Sequence, residues 1–542
     1  MKFILSLVAV LQFTVLIAQK TDKAPKLVVG IVVDQMKNEY LHRYADHYGE
    51  DGFMRLMNDG FYAANHQFSY MPTSTGPGHA SIYTGTTPAV HGIAANDWYN
   101  PWDKESYYCV GDKSVKSVGI QASAGQRSPK NLKTTTITDE LKMFWNFRSK
   151  VIGVSLKDRG AILPAGHIAD GAYWYIDGKF VTSSFYHDEL PSWVDEFNNN
   201  GLIDGYIENG WQPLLPLSEY KASTADDSPY ERKFAEEESP ILPKDLKKLA
   251  PFNSNQDIIM LTPFGNSLVL EFALKAIEEE KMGEDNITDF LAVSFSSTDI
   301  IGHEFGTRAV EIEDTYLRLD QDIARLLSAL DEKVGKDNYL VFLTGDHAGA
   351  EVPQFSIDNN LPGGYIDTDS AKKVIEETLL KFHPSGRDLI EKVEGNEIYF
   401  DREKVAAAGL DVPILAEAMA KSFTGFPGIY AAYPTADIMK MSGEEFPIMN
   451  LKRGIYPLVA SDVIWLLDSG WMRYARVGTQ HGTAWKYDSH VPFLLYGKGV
   501  KKGKIYRETN IRDISPTLSM MLQIPFPSGT TGAPIVEAIS GH

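Results

Sequence analysis

Five apolar, β-branched runs constrain this chain more than any other feature: KLVVGIVVD (26–34), KVIGVSLKDR (150–159), DFLAVSFSSTD (289–299), NYLVFLTGDH (338–347) and VPFLLYG (491–497). Runs without polar alternation offer no face to water, so they suit strands covered on both sides in a largely parallel sheet. Between them, TRAVEIEDTYLRLDQDIARLLSALDEKVG (307–335) repeats apolar residues at helical spacing with charges opposite. This alternation predicts an α/β fold, doubly wound around a mostly parallel sheet.

In open sheets of that kind, ligands gather at the carboxyl ends of the strands. The polar residues ending these runs are Asp34, Lys157 with Arg159, Asp299, and Asp346 with His347. They predict one site assembled from distant parts of the chain. The core α/β domain is expected from residues 24–160, 256–359 and 471–542. Residues 161–255 and 360–470 read as inserted cap segments, the first with a hairpin signal at Asp177-Gly178 in AYWYIDGKFVTSSF.

Residues 1–18 combine Lys2 with a mostly apolar run and a small residue at Ala18, the layout of a signal peptide that would direct the protein to the periplasm or outside the cell. An uncleaved anchor is the alternative, but the run is short for a membrane span. No stable membrane anchor is therefore expected. With 52 Lys and Arg against 72 Asp and Glu, the formal charge is −20. That field repels nucleic acid, and an anionic substrate needs local positive charge to enter. The single cysteine, Cys109, excludes an intrachain disulfide and a cysteine-based metal site. Metal ligands must come from His, Asp and Glu. Nothing specifies an oligomer, and a monomer is compatible with the chain.

Asp299 and His303 in STDIIGHEFG (297–306) are four apart and share a face if the segment turns helically. TGDHAG (344–349) adds an acid and an imidazole at a strand end, and QHGTAWKYDSHVPFLLYG adds His481 in a Gly-flanked loop and His490 before a strand. Alone, each motif also fits a helix cap, a turn or a packed histidine. Together Asp34, Asp299, His303, Asp346, His347 and His481 supply three carboxylates and three imidazoles, a set suited to two zinc ions with open positions. Two metals about 4 Å apart can stabilise the attacking and leaving oxygens of a displacement at phosphorus. MPTSTGPGHASIYTG (71–85) then places Thr75 at a predicted helix amino terminus, where the dipole and a metal would both lower its hydroxyl pKa. Thr75 is the candidate nucleophile; the alternative is that Thr75 or Ser74 only caps the helix. His79 is expected to pack or orient rather than ligate.

Asp34, the block PTSTGPGHASIYTGTTPAVHGIAAND, Asp299-x-x-x-His303, Asp346-His347 and His481 resemble the alkaline phosphatase superfamily in order and spacing across nearly the whole mature chain. Within it, the pattern is similar to the phosphate-irrepressible, PafA-type branch. The resemblance implies that Asp299, His303 and His481 hold one Zn2+, and that Asp34, Thr75, Asp346 and His347 hold the other. It also implies that Asn96 and Arg159 bind a phosphoryl oxygen and that Lys157 replaces a magnesium ion. Two cations beyond the metals favour a monoester dianion over a diester.

The expected activity is an exported zinc-dependent phosphate monoesterase acting on small-molecule phosphate monoesters through a phosphothreonine intermediate. A nucleotide pyrophosphatase or phosphodiesterase of the same superfamily, and a non-catalytic exported zinc-binding protein on the same scaffold, are the alternatives.

Overall fold

The computed structural model describes residues 24–540 apart from 444, 474 and 475; the expected signal segment with its cut after Ala18 lies outside them. Eight strands carry the centre: β1 (Leu27–Val33), β2 (Phe61–Gln67), β3 (Val151–Ser155), β4 (Gly171–Ile176), β5 (Lys179–Ser183), β6 (Asp289–Phe295), β7 (Tyr339–Gly345) and β8 (His490–Gly497). Four helices matter to the site: α1 (Thr75–Thr84), α2 (Asp158–Ala165), α3 (Ser297–Phe305) and α4 (Val310–Leu330). The eleven-stranded sheet runs in the order Gly503–Ile505, β2, β8, β7, β1, β6, β3, β4, β5, Ser117–Val118, with Thr509–Asn510 also paired to β2.

Strand β1 is parallel to β7 on one side and β6 on the other, and β6 is parallel to β3. Val33 stands level with Gly345 and Phe295, and Ser155 with Ser294. Four strands therefore finish at nearly one height. Strand β8 runs antiparallel to β7 and to β2, so the sheet is mixed on that side. The physical reason is local: the loop carrying His481 lies at the strand-end side, so β8 starts where β7 finishes and must run back.

Both faces of β1 are buried. Val29, Ile31 and Val33 join a core with Tyr316, Leu319 and Ile323 of α4, while Val28 and Val32 face Ile82 and Tyr83 of α1. Burying each such side chain is worth about 1.5–3 kcal/mol. Gly30 interrupts the run because a Cβ there would lie 2.5 Å from the Tyr83 hydroxyl and 2.7 Å from the Phe342 ring.

The segment 161–255 does not stand apart as a cap. Residues 161–165 end α2, and β4 and β5 extend the central sheet, joined by a two-residue turn with Asp177 and Gly178 at φ 47° and 80°. The β-branched and aromatic residues of this hairpin find their burial on the sheet edge, which is why it docks there. The rest of the segment is anchored on α4, where Trp211 Nε1 and the Tyr220 hydroxyl donate to Asp314 at 2.8 and 2.5 Å. Within 360–470, strands Ile390–Glu394, Glu397–Phe400, Ile429–Pro434 and Val463–Leu467 form a separate sheet over its own core of Leu379, Met419 and Trp465. Among the described residues no single helix is long and apolar enough to cross a membrane.

Candidate active site

The level strand ends place the acids and imidazoles. Asp34 follows β1 and keeps its N–H on the Phe295 carbonyl at 3.0 Å, and Asp346 and His347 follow β7. Helix α3 begins just beyond β6, so Asp299 and His303 lie one turn apart on the same face, with His303 Nε2 3.2 Å from Asp299 Oδ1. His481 Nε2 lies 3.6 Å from the same oxygen. On the other side, His347 Nε2 is 3.3 Å from Asp34 Oδ1 and 3.7 Å from Asp346 Oδ2.

Two groups of side chains bring one potential ligand atom each to within 4.8 Å of one another: Asp299, His303 and His481, and Asp34, Asp299 and His347. Asp299 belongs to both, so it joins the two halves. Asp346 sits at the edge of the second group. Asp34 Oδ1, Asp346 Oδ2 and His347 Nε2 are all buried without a hydrogen-bond partner, a costly arrangement unless a cation satisfies them. The donor set therefore fits divalent metal.

Each of the three histidines turns its Nδ1 to a backbone carbonyl: His303 to Thr479 at 2.8 Å, His347 to Ala348 at 3.0 Å and His481 to Thr73 at 2.7 Å. Donation at Nδ1 leaves Nε2 as the lone pair facing the carboxylates, the tautomer a metal ligand needs. Burial would push the Asp34 carboxyl up, and the neighbouring Asp299 charge adds to that, but Lys157 and His347 hold it well below the usual range. Asp346 is raised, first by burial and then by Asp34. Burial lowers His347, yet Asp346 and Asp34 bring it up to about 9.

Lys157 is no solvated strand-end charge. Its Nζ bridges Asp34 Oδ2 at 2.6 Å and Asp299 Oδ2 at 2.5 Å, between the two groups. Arg159, on the first turn of α2, donates from Nη1 to the Tyr108 hydroxyl at 3.0 Å, and that hydroxyl bonds Asp158. Arg127 holds Asp158 from the other side at 2.7 Å and lies over the Tyr108 ring. The Arg159 Nε is buried and unpartnered.

Thr75 is the first residue of α1 and is 1 % exposed. Neither Ser74 nor Thr75 acts as the expected alternative cap: the helix has no side-chain cap bond, and Ser74 Oγ is buried without a partner. Two glycines seat this helix end. A Cβ at Gly78 would run into the Asp346 carbonyl, and one at Gly76 would lie 3.1 Å from both Asn96 Oδ1 and Cys109 Sγ. The Gly76 N–H donates to Asn96 Oδ1 at 2.7 Å, which fixes the amide through its oxygen and keeps its NH2 out of that bond. His79 bonds the Thr75 carbonyl through Nδ1 and Ser294 through Nε2, both at 2.9 Å, so both ring nitrogens are engaged. His490 is held on the Ala64 carbonyl, away from the acid groups.

Two residues that sequence reasoning passed over complete the site. Gln35, with φ 63°, donates from Nε2 to Asp299 Oδ1 at 2.6 Å and from its backbone N–H to Asp346 Oδ1 at 3.1 Å. Asp488 accepts from Thr483 N and Oγ1 at 2.9 and 2.6 Å, pinning the loop that carries His481. Gln35 follows Asp34 directly, and that adjacency was the available signal. Asp488 had none, because its role depends on the path of the loop.

The family described as type I phosphodiesterase / nucleotide pyrophosphatase matches residues 28–440. The chain is 44% identical over 536 residues to a protein of Myroides odoratus named calcium-transporting ATPase, covering 97% of each. It is 44% identical over 529 residues to alkaline phosphatase PhoV of Synechococcus elongatus, covering 96% of this chain and 94% of that one. The crystal structure of wild-type alkaline phosphatase PafA superposes with a TM-score of 0.92 at 42% identity, covering 95% of this chain and 99% of that chain.

Proposed function

From the premise that the chain belongs to the type I phosphodiesterase / nucleotide pyrophosphatase family of the alkaline phosphatase superfamily, we propose that it is an exported phosphate monoesterase that works through a phosphothreonine intermediate. The observation that carries this reading is the position of Lys157, whose ammonium lies against Asp34 and Asp299 with Arg159 two residues on, in the first turn of α2. A monoester presents a dianion, and two fixed cations at that point favour it over a diester with one oxygen masked.

Asp299, His303 and His481 would hold one zinc ion, and Asp34, Asp346, His347 and Thr75 a second. Zinc bound there would supply Lewis-acid charge that lowers the Thr75 hydroxyl pKa and neutralises the leaving oxygen. Thr75 Oγ1, its proton given up to solvent, attacks phosphorus as the ester P–O bond breaks, and the leaving oxygen takes a proton from solvent and departs as the alcohol; water then attacks the phosphothreonine, breaking its P–O bond and returning phosphate and the Thr75 hydroxyl. The Asn96 NH2, freed by the Gly76 N–H on its oxygen, and the Arg159 guanidinium, braced by Tyr108 and Asp158, bind the non-bridging phosphoryl oxygens. Lys157 keeps Asp34 and Asp299 ionised and in place.

Thr75→Ala tests the reading: steady-state hydrolysis of p-nitrophenyl phosphate is abolished while bound zinc stays at two per chain. Undiminished turnover would reject the nucleophile. The purified protein should prefer p-nitrophenyl phosphate to its bis ester; the opposite preference would make it a diesterase. Export rests on residues 1–18, and the amino terminus of the secreted or periplasmic protein should begin after Ala18.

A further inference from the structure

We propose that the cavity beside His481 is a subsite for the alcohol half of the substrate, shaped for an uncharged planar aromatic group. This rests on the monoesterase reading and names its substrate class. The cavity measures about 370 Å³ and begins at Ser74, Asn96 and His481, the residues flanking the nucleophile and the metal ligands. That volume suits a small-molecule site rather than a groove for a macromolecule. An organic group still attached to a phosphoryl oxygen at Thr75 has this space to enter.

Its walls are aromatic and aliphatic. Trp98 comes from the hairpin that follows Asn96, and Ile455, Tyr456, Trp471 and Met472 come from the inserted segment. Trp98 stacks on Tyr107 at 6.2 Å between ring centres and is thereby fixed. Tyr456 is half-buried yet joins none of the apolar cores formed by the described residues. A half-buried ring without a packing role, facing a cavity, is available to a ligand.

The polar lining sets the sign. Asp97, Glu394 and Glu397 line the cavity together with Arg473, so carboxylates outnumber the guanidinium. Asn396 Oδ1 and Asp488 Oδ1 add two buried acceptors without a donor. Acceptors and carboxylates repel an anionic leaving group and accept a neutral one, or one that donates an N–H or O–H. The pocket should therefore bind an aryl alcohol better than one bearing its own carboxylate.

Non-hydrolysable phosphonates separate binding from chemistry. On the zinc-loaded wild-type enzyme, benzylphosphonate is expected to inhibit competitively about tenfold more tightly than methylphosphonate, the gain from burying one phenyl ring. 4-Carboxybenzylphosphonate should lose most of that gain, and Tyr456→Ala should bring the benzyl-to-methyl ratio below about threefold. Equal inhibition by the benzyl and methyl compounds on the wild-type enzyme overturns the subsite and leaves the monoesterase reading standing. Failure of both to compete overturns the monoesterase reading itself. A carboxybenzyl compound as tight as the benzyl one removes the charge preference, and an unchanged ratio in Tyr456→Ala removes the assigned wall.

Discussion

Gln35 offers the most direct test of how the site is held. Its amide meets Asp299 Oδ1 at 2.6 Å while that oxygen also faces His303 and His481. Gln35 is 3% exposed, so water cannot replace the bond. A buried hydrogen bond to an ionised carboxylate is worth about 2 kcal/mol, or about thirtyfold in an equilibrium. Gln35→Met keeps the volume and removes the donor. Zinc retention should then weaken about thirtyfold, within the range expected for partners of metal ligands, as read by competition with a chromogenic chelator at fixed pH. Gly302→Ala approaches from the other side: its Cβ would run into Gln35 Oε1 and push the amide away. Both variants should lose zinc to the same degree, and excess zinc should restore much of their turnover. Unchanged retention in Gln35→Met, with turnover lost, would refute the reasoning, because the residue would then act on substrate rather than through Asp299.

Other outcomes follow from the same geometry. Lys157→Ala and Arg159→Ala should each lower kcat/KM for a monoester by about a hundredfold and for a diester by less than tenfold; equal losses on both would argue against their preference for the dianion. Arg127→Ala, which removes the brace on Asp158 and the cover over Tyr108, should raise KM for p-nitrophenyl phosphate severalfold with a smaller effect on zinc content. Far from the site, burial pushes the Glu311 carboxyl up to about 8 against the pull of Lys244, and its neighbour Glu231 is raised too, by burial and by Glu311. A carboxyl raised in the folded state contributes stability that is complete below its unfolded pKa and is lost as pH rises through the folded value. The thermal midpoint should therefore fall between about pH 5 and 8, and Glu311→Gln should flatten that fall; an unaltered slope in the variant would place the loss elsewhere.

The positions of Asp34, Asp346 and His347 were legible because strand-end chemistry follows from the pattern alone, and those of Asp299 and His303 because helical spacing continues from a strand end, whereas His481 was marked only by its Gly-flanked loop. An apolar run buried on both faces must end at the sheet edge, and the first polar residue after it must sit there. The helix beginning at Thr75 was legible for a similar reason: a hydroxyl before a Gly- and Ala-rich turn marks an amino terminus. The separate sheet within the second expected insertion, 360–470, was not legible. The first was misread, since the hairpin at Asp177-Gly178 carries the same local signal whether it stands alone or extends a sheet. Only the edge left open by β3 decided that.

By itself, then, the sequence determined which chemical groups occur at the strand ends and that the strands between them are buried. It did not determine the height at which each strand stops, and that is what brings Lys157 between Asp34 and Asp299 and leaves Asp299 facing both histidine groups. Strand register is a property of paired backbones, and the seating of α1 over those strands depends on close contacts such as Gly30 against Tyr83 and Gly78 against the Asp346 carbonyl. The roles of Gln35 and Asp488 belong to the same class: each acts on a residue hundreds of positions away or on the path of a loop. No local propensity encodes those distances, because they exist only once the chain has packed.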